Sequence, residues 1–250
     1  MAKNAHALSV QVSQQLLRRI IQKEFPAGTV LPSEREIGAT YTVSRPVARE
    51  AIKLLEARGI VSVHPRQGAT VGQNLIGAAG EALLLAFHQA DAVREDILHM
   101  RMLLEPQVAA LAAQHGTPTQ QRKLSAIRQR IVTLLAAVDE GEKEQADALW
   151  PHTDQPLHVL LGEMCHNPVF RIFVEIITNI LWINIPGGGP VIGLEDSRRA
   201  SQQHLAICEA VLAGDAAAAG AAMEAHLDYT RDYILRQHNQ LDEPIRVIID

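Results

Sequence analysis

The sequence predicts a mainly α protein in two parts. A winged helix-turn-helix occupies residues 1–72, and an all-α antiparallel bundle of about seven helices fills 73–240, with a tail at 241–250. Three observations predict this. Two short helical segments with capping signals precede a β-prone hairpin in the first 72 residues. Past Gln73 no hairpin pattern survives, and Ala/Leu-rich segments break at intervals typical of bundle loops. The charge divides at the same place. Residues 1–72 carry ten Lys/Arg against five Glu, a balance of +5, whereas the remainder carry 13 basic against 23 acidic side chains, a balance of −10. A basic first third on an acidic body points to a polyanion partner for the N-terminal part alone.

Composition sets outer bounds. A chain of 250 residues can bury two modest cores, and with 47% hydrophobic but only 4% aromatic residues those cores must be built from Leu, Ile, Val and Ala. Residues 1–9 do not read as a leader peptide. The longest apolar run, Ile172 to Ile185, is interrupted by Glu175, Asn179 and Asn184 and is too short to span a bilayer, so no membrane partner is expected. Two cysteines, Cys165 and Cys208, provide neither a disulfide framework nor CxxC chemistry, and a cytoplasmic setting is expected.

In the first third, residues 9–24 place Val12, Leu16 and Ile20 on one helical face, with Ser9 or Ser13 available as a cap. Phe25 to Gly28 break that pattern. In LPSERE at 31–36, Ser33 precedes Glu36 by three residues, the spacing of a capping box, and a short helix ends near Tyr41. Ser44 then caps a second helix with Pro46 in its first turn. Val47, Ala51, Leu54 and Leu55 keep the helical period until Gly59 stops it. Arg45 and Arg49 lie four apart and share one face, as a recognition helix in a major groove requires. Ile60–Val63 and Ala69–Val71 flank His64–Gly68 as a hairpin with a basic tip, the wing.

The bundle is expected as helices over 76–89, 91–115, 117–139, 142–165, 168–185, 195–213 and 215–238. The run Pro186–Pro190 is a loop; lacking a following Lys-Ser/Thr, it is not a phosphate-binding loop. Asp154 and His158 stand at i, i+4 on one face, while His204 and His226 sit mid-helix among apolar neighbours in the last two segments. One buried histidine is ordinarily a satisfied core residue. Three interior histidines and an aspartate spread over three helices leave two readings open, satisfied core residues or ligands of a metal. Pro156 intervenes: it either kinks the helix or resets its start, making Asp154 an N-cap engaged with backbone N–H groups. His152 and His166 read as solvent or loop residues, Asn167 as an N-cap, Glu105 and Asp215 as helix-end or inter-helix contacts, and Asn179 as pocket lining.

LPSERE, SRPVAREAIKLLEARGIV and QGATV, in this order over about 60 residues, resemble the GntR family of bacterial regulators. The resemblance implies a homodimer on a palindromic double-stranded DNA operator. It implies contacts from Arg35, Ser44, Arg45 and Arg49 and from the wing around Arg66 and Gly68. Farther on, RMLLEP at 101–106, DxxxH at 154–158, HNPV at 166–169, HLAICEAVLAGD at 204–215 and MEAHL at 223–227 resemble the FadR-type effector (FCD) domain of that family. That resemblance implies a divalent cation, often zinc, on Asp154, His158, His204 and His226, with Arg101 pairing with a ligand carboxylate. The expected function is a regulator, a repressor of a carbon-catabolic operon, that senses a small organic or sugar acid. Two alternatives stand beside it. The cation itself could be the signal, or the three-histidine site could serve a hydrolase, for which no HExxH or comparable general base is evident.

Overall fold

The computed structural model describes residues 2–65, 67–72, 75–183, 193–238 and 245. The chain divides into two compact units, Met1–Ala78 and Ala79–Asp250, so the division falls six residues beyond the expected boundary, inside a helix.

The first unit contains α1 (Ala2–Ile21), α2 (Glu34–Tyr41), α3 (Arg45–Glu56), β1 (Val61–His64) and β2 (Gly68–Val71). Helix α1 starts well before the expected residue 9. Ser9 and Ser13 are not caps: both are buried inside the helix, each hydroxyl donating to the carbonyl three residues back, His6 and Val10. This local bond removes the cost of burying a hydroxyl, and so permits serines where the pattern suggested an end. The capping box of α2 is present as the spacing requires, with Glu36 N–H donating to Ser33 Oγ and Ser33 N–H to Glu36 Oε2. Ser44 stands at the N-cap of α3 without a side-chain cap bond, and Pro46 lies in the first turn.

Helix α3 ends in a Schellman-type closure: Ile60 N–H donates to Leu55 O while Gly59 takes φ +67°. The strands pair antiparallel, Val61 with Val71 and His64 with Gly68. One feature has no counterpart in the sequence pattern. Residues 28–31 add a short third rung, with Gly28 N–H to Val71 O, Val71 N–H to Thr29 O and Leu31 N–H to Ala69 O. The core joins Val12, Leu16, Leu31, Ile37, Ala48, Ala51, Leu55, Val61 and Val71. Each buried Leu there contributes roughly 1.5–3 kcal/mol relative to exposure. The small Ala48 and Ala51 let α3 approach α1 closely.

The second unit is all helical. It comprises most of α4 (Leu75–Gln89), then α5 (Arg94–His115), α6 (Pro118–Asp139), α7 (Lys143–Leu149), α8 (Asp154–Met164), α9 (Pro168–Ile183), α10 (Leu194–Leu212) and α11 (Ala216–His238). The expected single helix over 142–165 is two helices joined by a 3-10 turn, Trp150–His152. Pro151 and Pro156 explain the break, since neither has an N–H for an interior hydrogen bond. With α8 starting at Asp154, Pro156 falls in the first turn, where none is needed. Helix α5 packs on α8 and α11, α10 lies between α6 and α11, and α9 covers α8. Val108, Leu124, Ile131, Leu157, Leu161, Met164, Ile207, Met223 and Leu227 form the shared core.

Ile245 is buried, its N–H donating to Ala92 O and its carbonyl 2.9 Å from His88 Nδ1, so this part of 241–250 is docked. The glycine-rich loop at 186–190 and Arg66 lie outside the described residues. Among the described residues no helix is long and apolar enough to cross a membrane.

Gly59 gives a direct test of the α3 closure. A Cβ there would adopt the left-handed region and meet Ala78 Cβ at 3.1 Å. Gly59→Ala is expected to cost about 1–2 kcal/mol in chemical denaturation; a loss below about 0.3 kcal/mol would contradict the strain argument.

Candidate metal centre and nucleic-acid interface

The helix-turn-helix presents its basic residues outward. Arg35 on α2 and Ser44, Arg45 and Arg49 on α3 are all exposed, whereas the opposite face of α3 is core. This is the division a recognition helix requires, one face for packing and one for the groove. The arginines are ordered by an acid that no sequence signal singled out. Glu34 Oε2 accepts from Arg45 Nε at 2.8 Å, and Glu34 Oε1 accepts from Arg49 Nε at 2.7 Å. Hydrogen bonds from Arg49 and then Arg45 hold the Glu34 carboxyl below its ordinary range. Gly68, at the tip end of the wing where β2 begins, takes φ +88°, a conformation suited to glycine.

In the second unit α8, α10 and α11 bring four side chains together. One ligand atom from each of Asp154, His158, His204 and His226 lies within 4.8 Å of all the others. His204 Nε2 is 3.2 Å from His226 Nε2 and 3.2 Å from Asp154 Oδ1, and His158 Nε2 is 3.9 Å from the same oxygen. The histidines are 0–3% exposed; the Asp154 side chain, at 19%, marks the side from which solvent reaches the cluster.

The Pro156 question resolves by geometry. Thr153, not Asp154, occupies the N-cap of α8, so Asp154 stands in the first turn with its carboxylate directed at His204.

The protonation states suit a cation. Burial pushes His204 and His226 below the ordinary histidine range, leaving neutral imidazoles with lone pairs. Burial works against the Asp154 charge, but the hydrogen bond with His204 and the positive charge of Arg101 outweigh it and hold the carboxyl down to about 2. His204 and His226 therefore offer neutral nitrogens beside one anion, the form metals bind. The spacing also fits. Ligands about 2.1 Å from a common ion lie roughly 3.0–3.4 Å apart, the separation His204 keeps from two partners. A single proton on His204 Nε2 cannot satisfy both of those neighbours, whereas one cation can.

Behind the cluster lies a second buried group. Arg101 Nε donates to Glu105 Oε1 at 2.5 Å and Arg101 Nη2 to Glu105 Oε2 at 3.3 Å; the same Oε2 is 2.5 Å from His158 Nδ1. Burial opposes the Glu105 charge, yet the Arg101 charge and the hydrogen bonds with His158 and Arg101 keep its carboxyl well below the usual range. Donation from His158 Nδ1 to Glu105 leaves the Nε2 lone pair facing the cluster, the carboxylate–histidine arrangement that orients metal ligands.

Residues 96–229 match the FCD domain, and residues 8–71 match the bacterial regulatory proteins of the gntR family. The chain belongs to the GntR family of regulators and carries an FCD domain. This transcriptional regulator is 32% identical over 229 residues to the uncharacterized HTH-type transcriptional regulator YieP of Escherichia coli, spanning 88% of this chain and 92% of that one. It is 29% identical over 228 residues to the HTH-type transcriptional repressor NanR of Citrobacter rodentium, spanning 88% and 83%. A GntR structure from Streptococcus agalactiae shares the fold, with a TM-score of 0.72 at 23% identity, covering 90% of this chain and 99% of that chain.

Among the regulator's residues singled out from sequence, the four proposed ligands converge and Arg101 lies against His158. Asn179 on α9 is half-buried and accepts a hydrogen bond from Gln155, the neighbour of Asp154. His152 and His166 are exposed and outside the cluster. Asn167 Oδ1 accepts from Val169 and Phe170 N–H, and Asp215 Oδ1 accepts from Ala218 N–H, so both cap helices as expected. Glu105 makes the expected inter-helix contact, to His158, and also bonds Arg101 on its own helix. Its i, i+4 spacing from Arg101 was the available signal.

Because Arg101 is 5% exposed, removing its partner strands a buried charge. Glu105→Ala should destabilise the protein by about 3–5 kcal/mol in urea unfolding. A loss under about 1 kcal/mol would mean that the Arg101 guanidinium finds compensation elsewhere.

Proposed function

We propose that the chain is a metal-dependent, acid-responsive repressor that binds a palindromic operator as a homodimer in the cytoplasm. The observation that carries this reading is the joining, in one buried site, of an Arg–Glu pair with a donor set of one aspartate and three histidines. Three imidazoles and one carboxylate suit zinc best among common divalent ions. The bound cation would supply positive charge, and on an open side positions, for the carboxylate and hydroxyl oxygens of a small acid. Arg101 would address the ligand's other end, with Glu105 fixing the plane of the guanidinium. Asn179, which accepts a hydrogen bond from Gln155 beside Asp154, would line the ligand's side of the site. Repression as the mode of action draws on the NanR relatives, which are named repressors.

On the DNA side, Arg35, Ser44, Arg45 and Arg49, with the wing at Arg66 and Gly68, are the proposed contacts. Exposure of the first four on one side of the helix-turn-helix supports this. Acid binding would regulate by favouring one disposition of the two DNA-binding units of the dimer over another, changing their match to half-site spacing.

A second reading makes the cation itself the signal. It draws on the bonds that already engage Arg101 with Glu105, and on the near-complete burial of the three histidines.

Fluorescence anisotropy with operator DNA separates these readings. With zinc-loaded protein, a sugar acid or dicarboxylate should weaken operator binding at least tenfold, and the effect should vanish in His204→Ala. If no acid changes the affinity while zinc alone does, the cation is the signal; if neither does, the sensing role is lost.

The proposed base contacts make a separate expectation. Arg45→Ala should weaken operator binding by about 1–3 kcal/mol and relax the base preference at one position per half-site. Unchanged affinity and preference would remove Arg45 from the interface.

A further inference from the structure

Glu34 opens α2, directly after the Ser33 cap, and is the acid that links both recognition arginines. Its carboxylate bonds Arg45 through Nε alone, and Arg49 through both Nε and Nη2. Stability does not explain it. Arg45 and Arg49 side chains are 71% and 58% exposed, and ion pairs so open to solvent contribute little. On a face meant for a polyanion, a carboxylate also opposes binding. Its consequence lies in which N–H groups it leaves over. Arg45 keeps its terminal Nη1/Nη2 fork, the two-pronged donor that matches O6 and N7 of guanine. Arg49 has committed its Nε/Nη2 edge, so two bonds rather than one fix the plane of its guanidinium and of the terminal N–H groups it keeps.

We propose that Glu34 is a specificity-determining positioning residue: it fixes the planes of both guanidinium groups, aims the Arg45 fork at a guanine edge, and weakens sequence-independent binding by its charge. The proposal rests on the reading that Arg45 and Arg49 contact DNA. Glu34 thus exchanges affinity for discrimination, because any duplex must accept a negative charge at the interface and only a correctly placed guanine recovers the loss.

The test uses the full-length protein to select duplexes from a random pool, followed by anisotropy on a selected duplex and a scrambled one over a range of salt. Glu34→Gln removes the charge at constant size, and Glu34→Asp keeps the charge but withdraws it by one methylene; circular dichroism melting checks that both fold. Glu34→Gln should bind the scrambled duplex about tenfold tighter, with a salt slope steeper by about one. Its ratio of selected to scrambled affinity should fall at least tenfold, and reselection should lose one guanine per half-site. Glu34→Asp should keep weak scrambled binding yet lose the same guanine.

Equal changes on both duplexes, or retention of that guanine by both variants, would overturn the proposal. A wild-type protein without sequence preference, or an Arg45→Ala variant with unaltered selected affinity, would instead bring down the DNA-contact reading beneath it.

Discussion

The second unit is organised around a chain of buried charge: Arg101 to Glu105, Glu105 to His158, and His158 to the cluster with Asp154, His204 and His226. A guanidinium and a carboxylate this far from water are tolerable only when each satisfies the other. That constraint fixes the rotation of α5, which carries both, and ties it to α8 through His158. The apolar core then follows from the same arrangement. Leu157 and Leu161 on α8, Val108 on α5 and Ile207 on α10 fill the space next to the polar cluster. The polar group thus specifies how the helices meet, while the apolar side chains supply most of the driving force.

The first unit solves a simpler problem, holding one helix face open to a groove. Ala48 and Ala51 bring α3 against α1, the Gly59 closure turns the chain into β1, and the rung from residues 28–31 braces the wing from its other edge. The recognition arginines stand on this frame without contributing to its core. Their alignment comes from Glu34 on the neighbouring helix.

Much of this was legible in the sequence because it depends on short-range geometry. The Ser33–Glu36 box, the Gly59 stop and the hairpin partners all lie within a few residues of each other. Asp154 and His158 were legible as an i, i+4 pair, and His204 and His226 from their apolar neighbours. What escaped depends on distant partners or on local bonds that disguise polarity. Ser9 and Ser13 looked like helix starts because the sequence does not show their i−3 hydrogen bonds. Residues 28–31 carry too little alternation to reveal a strand. Ile245 reads as a tail because its site is formed by Ala92 and His88, more than 150 residues away. Glu105 was visible as a partner for Arg101, but its second bond, to His158, exists only once α5 and α8 pack.

In the proposed function, Asp154, His158, His204 and His226 jointly hold one divalent cation. A crystal structure of zinc-loaded protein, with anomalous data collected on both sides of the zinc edge, tests this most directly. One strong zinc-specific peak is expected about 2.0–2.2 Å from the Asp154 carboxylate and from Nε2 of each of the three histidines. No peak at this cluster at full zinc loading, or a peak that excludes His204 or His226, would contradict it.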